Sequence, residues 1–225
     1  MRGRRSVFIA SGLLLGLWGC KDPAAGKPKA EVSEPAHAEA PAPAAEPAAA
    51  AAGAAEMATL AFSGEDSSIA FVGSKVTGSH DGKFHKFTGT IELPKDGPLE
   101  KGHVSLEIQM ASVEADAKKL TGHLQTGDFF LVEQHPTATF HSTSVKKAET
   151  DGATHTVTGD LTLRGTKKSI TFPAKISKEG DAVSIAAEFS INRKDFGIVY
   201  AGKPDDLIRD NVLIKLAIKA TPKPS

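Results

Sequence analysis

The 225-residue chain has one cysteine, one tryptophan and one tyrosine, and its basic and acidic side chains are equal in number, 27 of each. A single cysteine cannot form an internal disulfide bond or a thiolate metal cage. A balanced charge provides no overall electropositive field, so we expect no nucleic-acid partner. Seven of the eight histidines follow residue 58. They are scattered without the spacing of metal ligands, so we expect no metal site.

The sequence motifs of common enzymes are also missing. Neither HExxH nor GxSxG occurs, and residues 159–169 lack the spacing and the Gly-Lys-Ser/Thr end of a phosphate loop. We therefore expect a protein that is not an enzyme and that needs no cofactor. A hydrolase of unfamiliar design is the alternative that motif searching leaves open.

The first twenty residues have the pattern of a bacterial export signal. Three arginines within the first five residues precede an apolar run over residues 7–18, which is too short for a membrane-spanning helix of about 20 residues. The run ends in Leu-Trp-Gly followed by Cys20, which resembles the lipobox at which bacterial lipoproteins are cleaved and acylated. We predict a signal peptide over residues 1–19 and lipid attachment, with chains such as palmitate, at Cys20. A soluble secreted protein with an incidental cysteine is the alternative.

Acylation at Cys20 predicts a location. Two or more acyl chains hold a protein stably on a bilayer. Lys21 follows the cysteine, and by resemblance to enterobacterial sorting rules this residue favours the outer membrane. We expect the protein in the bacterial cell envelope, anchored to the outer membrane and facing the periplasm.

The segment that follows the cysteine has little capacity to fold. Residues 21–58 are dominated by alanine and proline and contain almost no large apolar side chain, so they cannot bury enough apolar surface to form a core. We predict an acylated cysteine with a disordered spacer over residues 20–58, and a folded domain over residues 59–225.

The folded domain shows an apolar period of two, which is typical of half-buried strands. The alternation occurs in eight segments, residues 69–73, 87–93, 104–110, 138–142, 157–163, 170–176, 183–191 and 212–218. Turn residues separate them, and residues 80–83 (His-Asp-Gly-Lys) are predicted to be one such turn. An antiparallel sheet closed into a barrel, or a sandwich, satisfies this pattern.

One segment has a different period. Over residues 114–126 the apolar Ala117, Leu120 and Leu124 are spaced by three and four, which predicts a short helix with Asp116 as its N-cap. The helix falls between strands three and four, a position from which it can cover one mouth of a barrel.

Three motifs follow one another in this domain: HLQTGDFF from His123, TGDLTLRGTKK from Thr158 and NRKDFGI from Asn192. Their sequence and order resemble the YceI-like polyisoprenoid-binding family, and the resemblance covers nearly all of residues 62–220. It implies an all-β fold, an eight-stranded antiparallel lipocalin-like barrel with one short helix between strands three and four. It also implies carriage or storage of an isoprenoid lipid, a polyprenyl phosphate or a quinone, in the apolar interior. Whether the barrel forms a homodimer stays open.

The alternation and the resemblance together assign candidate binding residues. The predicted apolar interior consists of Phe71, Phe87, Leu106, Ile108, Phe140, Leu161, Phe172, Phe189 and Leu216. The predicted mouth or head-group site consists of Leu120, Leu124, Phe129, Arg193 and Phe196. Small inward residues are expected to leave space for a ligand, namely Gly73, Gly89, Ala138, Gly159, Ala174 and Ala187.

Each of these assignments has a structural alternative. A stripe of Phe and Ile also describes a solid core, so a filled barrel with a structural or stress-related envelope role is the alternative function. Asp128, Phe129 and Phe130 either dock the helix, with Asp128 on backbone amides, or contact lipid. Arg193 either pairs with Asp195 or a turn carbonyl, or it is the first candidate for a charged head group.

Overall fold

The computed structural model describes residues 22–35, 56–150 and 152–222. The predicted signal peptide, Cys20 and residues 36–55 of the predicted spacer lie outside the described residues. Within them the strands are β1 (Glu31–Ser33), β2 (Met57–Ser63), β3 (Ser68–Lys75), β4 (Gly78–Phe84), β5 (Phe87–Pro94), β6 (His103–Gln109), β7 (Val113–Ala115), β8 (Thr137–Thr150), β9 (Ala153–Leu163), β10 (Thr166–Glu179), β11 (Ala182–Asn192), β12 (Gly202–Lys203), β13 (Asp206–Leu207) and β14 (Asn211–Pro222). The helical elements are α1 (Lys118–Leu124) and the 3₁₀ turns Leu99–Lys101, Met110–Ser112 and Arg193–Phe196.

Eight long strands form a closed barrel. Three of them are bent, and each consists of two consecutive elements: β2 with β3, β4 with β5, and β6 with β7. We count each pair as one strand, since its two elements follow one another along the same neighbouring strand of the ring. These three, together with β8, β9, β10, β11 and β14, form a ring of antiparallel neighbours that closes where β14 meets β2 and β3. The predicted barrel is confirmed over the sandwich, and closure leaves no open edge in the ring.

The two ends of the barrel carry different connections. The upper end carries the β3–β4 turn, α1 with the residues after it, and the connection over residues 193–210. The lower end carries the β5–β6 connection and the β8–β9 and β10–β11 turns. The register places Phe189, Ile214 and Phe71 side by side on the inward face, so the alternate residues Leu213 and Val72 point outward.

The turn predicted at residues 80–83 is wrong. These residues belong to β4, and the chain reverses at Val76 and Thr77 instead. Gly82 is paired with Phe71 on β3, and a Cβ atom on Gly82 would lie 2.2 Å from the ring Cζ. A glycine is therefore needed here because an aromatic ring crosses it, although Asp-Gly is also typical of turns.

The predicted helix is present between the third and fourth long strands as α1, shorter than residues 114–126. Asp116 is not its N-cap, because the cap residue is Ala117, in extended conformation without a side-chain hydrogen bond. The Asp116 carboxylate instead lies 2.9 Å from Nδ1 of His80 on β4. Thr121 ties the helix to the preceding strand by accepting a hydrogen bond from the Ala115 amide at 2.9 Å.

The predicted spacer is wrong over residues 22–35, and β2 begins two residues before the predicted domain boundary. β10 pairs with β11 over residues 175–179, and towards the upper end β1 takes the place beside β10, with Glu31 opposite Thr171. The Ser190 amide donates to the Pro28 carbonyl at 2.8 Å, and the Ala30 amide donates to the Ser190 carbonyl at 2.9 Å. Backbone hydrogen bonds hold this segment, and composition does not reveal them.

Candidate functional site

An apolar cavity of about 230 Å³ lies inside the barrel. Strands around the ring, the residues after α1 and the connection over residues 193–210 all contribute to its wall, and Arg193 is the only charged residue among the described ones that lines it. An apolar cavity of about 150 Å³ is already large enough to stay dry and to bind benzene. The barrel is therefore hollow, with room for part of an apolar chain.

Most of the residues predicted for the apolar interior do lie on this wall: Phe71, Leu106, Ile108, Phe140, Leu161, Phe172, Phe189 and Leu216. Their role in binding a ligand stays a prediction. Phe87 is not on the wall. It follows the bend between β4 and β5 and is buried in the core, with its ring 3.5 Å from the position that a Cβ on Gly64 would take. The period-two pattern does not reveal this bend.

The residues predicted for the mouth divide into two groups. Leu124, Phe129 and Arg193 line the cavity. Leu120 and Phe196 do not line it, and a role for them at the mouth stays a prediction. Leu120 packs on a smaller apolar cluster between α1 and the barrel, and Phe196 is fully buried in the main core beneath its 3₁₀ turn.

The aromatic rings inside the barrel form separate groups and do not meet at one point. Phe172 stacks on Phe189 with ring centroids 4.2 Å apart, and Phe140 is 6.0 Å from Phe172. Phe71 belongs to a second group with Phe84 and Phe130, at centroid separations of 5.6 to 6.3 Å. Both groups line the same cavity, so the aromatic residues bound the void and do not fill it.

The small inward residues do not all leave space. A Cβ on Gly89 would lie 2.1 Å from Cζ of Phe62, and a Cβ on Gly159 would lie 2.4 Å from Cζ of Phe140. Aromatic rings therefore fill the room that these two glycines leave, and the expectation of free space there is wrong. Gly73 differs, because a Cβ there would meet no atom within 4 Å and the residue lines the cavity. Ala138 also lines the cavity, whereas Ala174 and Ala187 are buried away from its wall.

The Arg193 guanidinium organises the connection at the upper end. It donates to the Ile198 carbonyl at 2.6 Å, the Arg209 carbonyl at 3.1 Å and the Ile208 carbonyl at 3.3 Å, and only 4% of the residue is exposed. Burial lowers the pKa of Arg193, and the nearby Asp210 carboxylate partly offsets this effect. Of the alternatives for Arg193, the structure shows bonds to turn carbonyls.

A second arginine, Arg164 at the β9–β10 turn, connects the pieces that cover the upper end. It donates to the Gly127 carbonyl, after α1, at 2.7 Å and also to the Gly197 carbonyl in the connection before β14. Its backbone has a positive φ of 51°, which is unusual for a residue with a side chain. Nothing in the local sequence pattern identifies this bridging role.

An aromatic cluster links the same two covering segments. His123 of α1 packs edge-on against Phe129 and Tyr200, at centroid separations of 5.0 and 5.2 Å. The Asp128 carboxylate lies 2.7 Å from Nε2 of His123, so its partner is a side chain and not the predicted backbone amides. Phe130 continues into the cavity wall. The predicted docking role for these residues therefore fits the geometry, with Phe130 also facing the void.

Some wall residues were missed because they lie outside the alternating segments. Phe84 follows the residues that were predicted to be a turn, and Ile198 and Ile208 lie in the long connection before β14. Phe84 is recoverable from the sequence, because placing residues 78–84 in a strand puts it two residues from Gly82 on the inward face. The two isoleucines have no periodic signal.

The combination of a closed eight-stranded antiparallel barrel, an apolar interior cavity and a loop-built cover defines a lipocalin-type barrel. Within the described residues, no helix has both the length and the apolarity to cross a membrane. The family of YceI-like domains matches residues 61–220. Because this match includes most of the chain, the protein belongs to the YceI-like family.

Relatives in sequence agree with this membership, and solved structures share the fold. The chain is 37% identical over 123 residues to Protein YceI of Escherichia coli O157:H7, a match that spans 52% of this chain and 62% of that relative. Among solved structures, Burkholderia cenocepacia BcnA superposes with a TM-score of 0.59 at 23% identity, covering 71% of this chain and 99% of BcnA. A polyisoprenoid-binding domain from Saccharophagus degradans, implicated in plant cell wall breakdown, gives 0.59 at 16% identity, covering 75% and 100%. At these identities the structural likeness shows the fold.

Proposed function

We propose that this protein binds the chain of an isoprenoid lipid, a polyprenyl phosphate or a quinone, inside the barrel, for carriage or storage in the bacterial envelope. The observation that carries the proposal is the cavity of about 230 Å³ whose wall is apolar except for Arg193. Binding of this kind needs no catalytic group. The polyisoprenoid-binding description of the Saccharophagus degradans domain supports the same class of ligand.

The physical chemistry favours an unbranched or methyl-branched hydrocarbon chain over a polar ligand. Each isoprene unit that leaves water contributes about 4 kcal/mol of transfer free energy, and ordering its few rotatable bonds offsets only part of this gain. A polar ligand would require wall groups to satisfy it. Arg193 already donates to three backbone carbonyls, so the charged head of a polyprenyl phosphate is expected to stay near the upper end rather than deep inside.

The proposal includes a lipid anchor. The lipobox-like sequence that ends in Cys20 supports acylation, and the basic and apolar residues before it support export. Lys21, the residue after the cysteine, supports sorting to the outer membrane. We therefore propose the periplasmic face of the outer membrane as its site of attachment.

The test uses cavity filling at a position that tolerates it. Gly73→Leu should fill part of the void, because a Cβ there meets nothing within 4 Å and the residue lines the cavity. Gly78→Leu is the matched control, since Gly78 is equally open and is not on the wall. Protein purified without detergent should release an isoprenoid on organic extraction, detected by mass spectrometry, and should take up a short-chain ubiquinone.

We expect Gly73→Leu to lower ubiquinone uptake strongly and Gly78→Leu to leave it unchanged. If extraction releases no isoprenoid and the wild-type protein takes up neither ubiquinone nor farnesyl phosphate, the proposal is wrong and a structural role without a ligand is favoured. Equal uptake by both variants would place the binding site outside the cavity.

A further inference from the structure

Residues 22–27 lie across the outside of the barrel near its upper end. The Lys27 ammonium pairs with Glu188 on β11 at 2.7 Å, and the Asp22 carboxylate lies 3.8 Å from the guanidinium of Arg209, which directly precedes β14. Leu213 on β14 and Val72 on β3 point away from the barrel interior in this region. Both side chains are nevertheless buried. The segment before β1 is thus bound to the barrel at both of its ends.

This arrangement determines where Cys20 can be. Cys20 precedes Asp22 by two residues in the sequence, and two residues of chain span at most about 7 Å. Asp22 is beside Arg209, whose amide donates to the Ser74 carbonyl at 2.8 Å. The predicted acylation site is therefore connected to the upper end through only two residues of chain, and residues 36–55 follow it in the sequence without lying between it and Asp22.

The same end of the barrel presents apolar side chains to solvent. Among the described residues four large apolar side chains stand out as exposed, and three of them lie at the upper end: Val76 (55%), Val199 (65%) and Leu207 (49%). Val76 and Leu207 are adjacent, because the Val76 amide donates to the Leu207 carbonyl at 3.2 Å. Met57, which is 50% exposed, lies at the lower end and provides a natural comparison.

We infer that the upper end is a membrane-docking surface, on which Val76, Leu207 and Val199 enter the lipid interface beside the acylated Cys20. This inference rests on the proposed lipid anchor. The occupant is a lipid bilayer, because acyl chains attached at this point bring these apolar side chains to the membrane surface, where burying apolar area adds to binding. The segments that cover the cavity then face the bilayer, so an isoprenoid chain passes from membrane to barrel without crossing water.

The experiment uses the full lipidated protein, purified from a bacterium that acylates lipoproteins and reconstituted into phosphatidylcholine vesicles. Acylation leaves no free thiol, so Val76→Cys, Leu207→Cys and the control Met57→Cys can each be labelled with an environment-sensitive NBD fluorophore. We expect blue-shifted emission at positions 76 and 207, quenched several times more strongly by doxyl-labelled lipids than emission at position 57. Flotation of the vesicles and of a Cys20→Ser variant measures the anchor separately.

The outcomes separate the anchor from the orientation. Failure of the wild-type protein to float overturns the anchor, and the inference with it. Flotation with water-like emission at positions 76 and 207 overturns the orientation alone. Blue-shifted emission that doxyl lipids do not quench, and that depends on protein density, would show a second copy on this surface and would also overturn the inference.

A functional measurement gives an independent test. The double variant Val76→Asp with Leu207→Asp should slow the transfer of ubiquinone from vesicles to the protein, because it weakens insertion. Its uptake of ubiquinone added in solution should match the wild type, since neither residue lines the cavity. Met57→Asp should change neither rate, and equal slowing by Met57→Asp would contradict the assignment.

Discussion

The lower and upper ends of the barrel are closed by different kinds of interaction. At the lower end, four apolar residues of the main core are at most 2% exposed: Leu60, Leu93, Val183 and Ala220. None of them lines the cavity. At the upper end the cover consists of connecting segments that are joined by one small aromatic cluster and by hydrogen bonds from two arginines, Arg164 and Arg193, to backbone carbonyls.

This difference indicates which end can open. Close packing of inward apolar side chains is lost only if strands separate, which costs much of the stability of the fold. Hydrogen bonds from a side chain to a loop carbonyl can break one at a time, and each contributes only a few kcal/mol. Exchange of a ligand is therefore expected at the upper end, and the comparison can be tested by weakening each contact in turn.

The largest effect is expected from Arg193→Met. This change leaves three backbone carbonyls of the upper connection without their donor, and we expect a loss of about 3 kcal/mol or more in the free energy of unfolding. Urea denaturation measures it. Lys194→Met is the control, because Lys194 is an exposed neighbour that also pairs with Asp210, at 2.9 Å, and should cost less than about 1 kcal/mol. Equal losses would show that Arg193 does not organise the cover.

The next effect compares a covered glycine with an open one. Gly159→Ala places a Cβ against the Phe140 ring and 2.6 Å from the His141 carbonyl oxygen, and we expect a loss of about 1–3 kcal/mol from overpacking. Gly73→Ala meets no atom and should be neutral or stabilising by up to about 1 kcal/mol, because it restricts the unfolded chain. Thermal denaturation of the two variants in parallel measures both changes in stability. A greater loss of stability in Gly73→Ala than in Gly159→Ala would contradict the location of the void.

The strands were largely predictable and the cover was not. Alternation identified a segment of each long strand, because a residue pattern with period two follows directly from one buried face. It could not reveal the bends at residues 64–67 and 85–86. It also could not reveal that the His-Asp-Gly-Lys sequence belongs to β4, where Gly82 pairs with Phe71. The composition of residues 22–35 pointed to disorder, yet hydrogen bonds to Ser190 and β10 hold them. Such long-range pairing leaves no local signal.

A moderate effect is expected from Arg164→Met. The variant loses the bonds to Gly127 and Gly197 that connect the two covering segments, so we expect destabilisation of about 1–2 kcal/mol and faster release of bound ubiquinone. Stopped-flow dilution into empty vesicles measures the release rate. Lys167→Met serves as the control, since Lys167 lies on β10 just after the same turn and pairs with Asp160 at 3.0 Å, away from the covering segments. Unchanged release would place the opening elsewhere.

The candidate site was predicted as far as it lies on strands. Leu216 and Leu106 were found because they alternate with polar residues, whereas Ile198 and Ile208 lie in an irregular connection whose path depends on Arg193. The motif that contains Arg193 identified the family. It did not indicate that the Arg193 guanidinium would donate its hydrogen bonds to backbone carbonyls. Roles of this kind depend on which carbonyls converge, and sequence spacing does not contain that information.

The smallest effect concerns Asp206, which fixes the apolar edge of the upper end. The Lys75 ammonium donates to its carboxylate, and this bond, followed by those from Thr77, lowers the pKa of Asp206. A carboxyl whose pKa is lower in the folded state stabilises it above the unfolded pKa, and that contribution is lost as the pH falls through the folded value. The wild type should therefore lose stability relative to Asp206→Asn below about pH 4, by a small amount because a single ion pair near the surface contributes little.

Urea denaturation of the wild type and of Asp206→Asn between pH 7 and pH 3 measures this difference. High salt should reduce it, since exposed charges are screened. The turn at Val76 and Thr77 is bound through Asp206 to the hairpin that carries Leu207, so the same acid titration should weaken quenching of the NBD probe at position 76 on vesicles. Parallel pH profiles for the two proteins would show that the turn is held without this carboxylate, and the apolar edge would then depend on backbone pairing, which includes the bond from Val76 to Leu207.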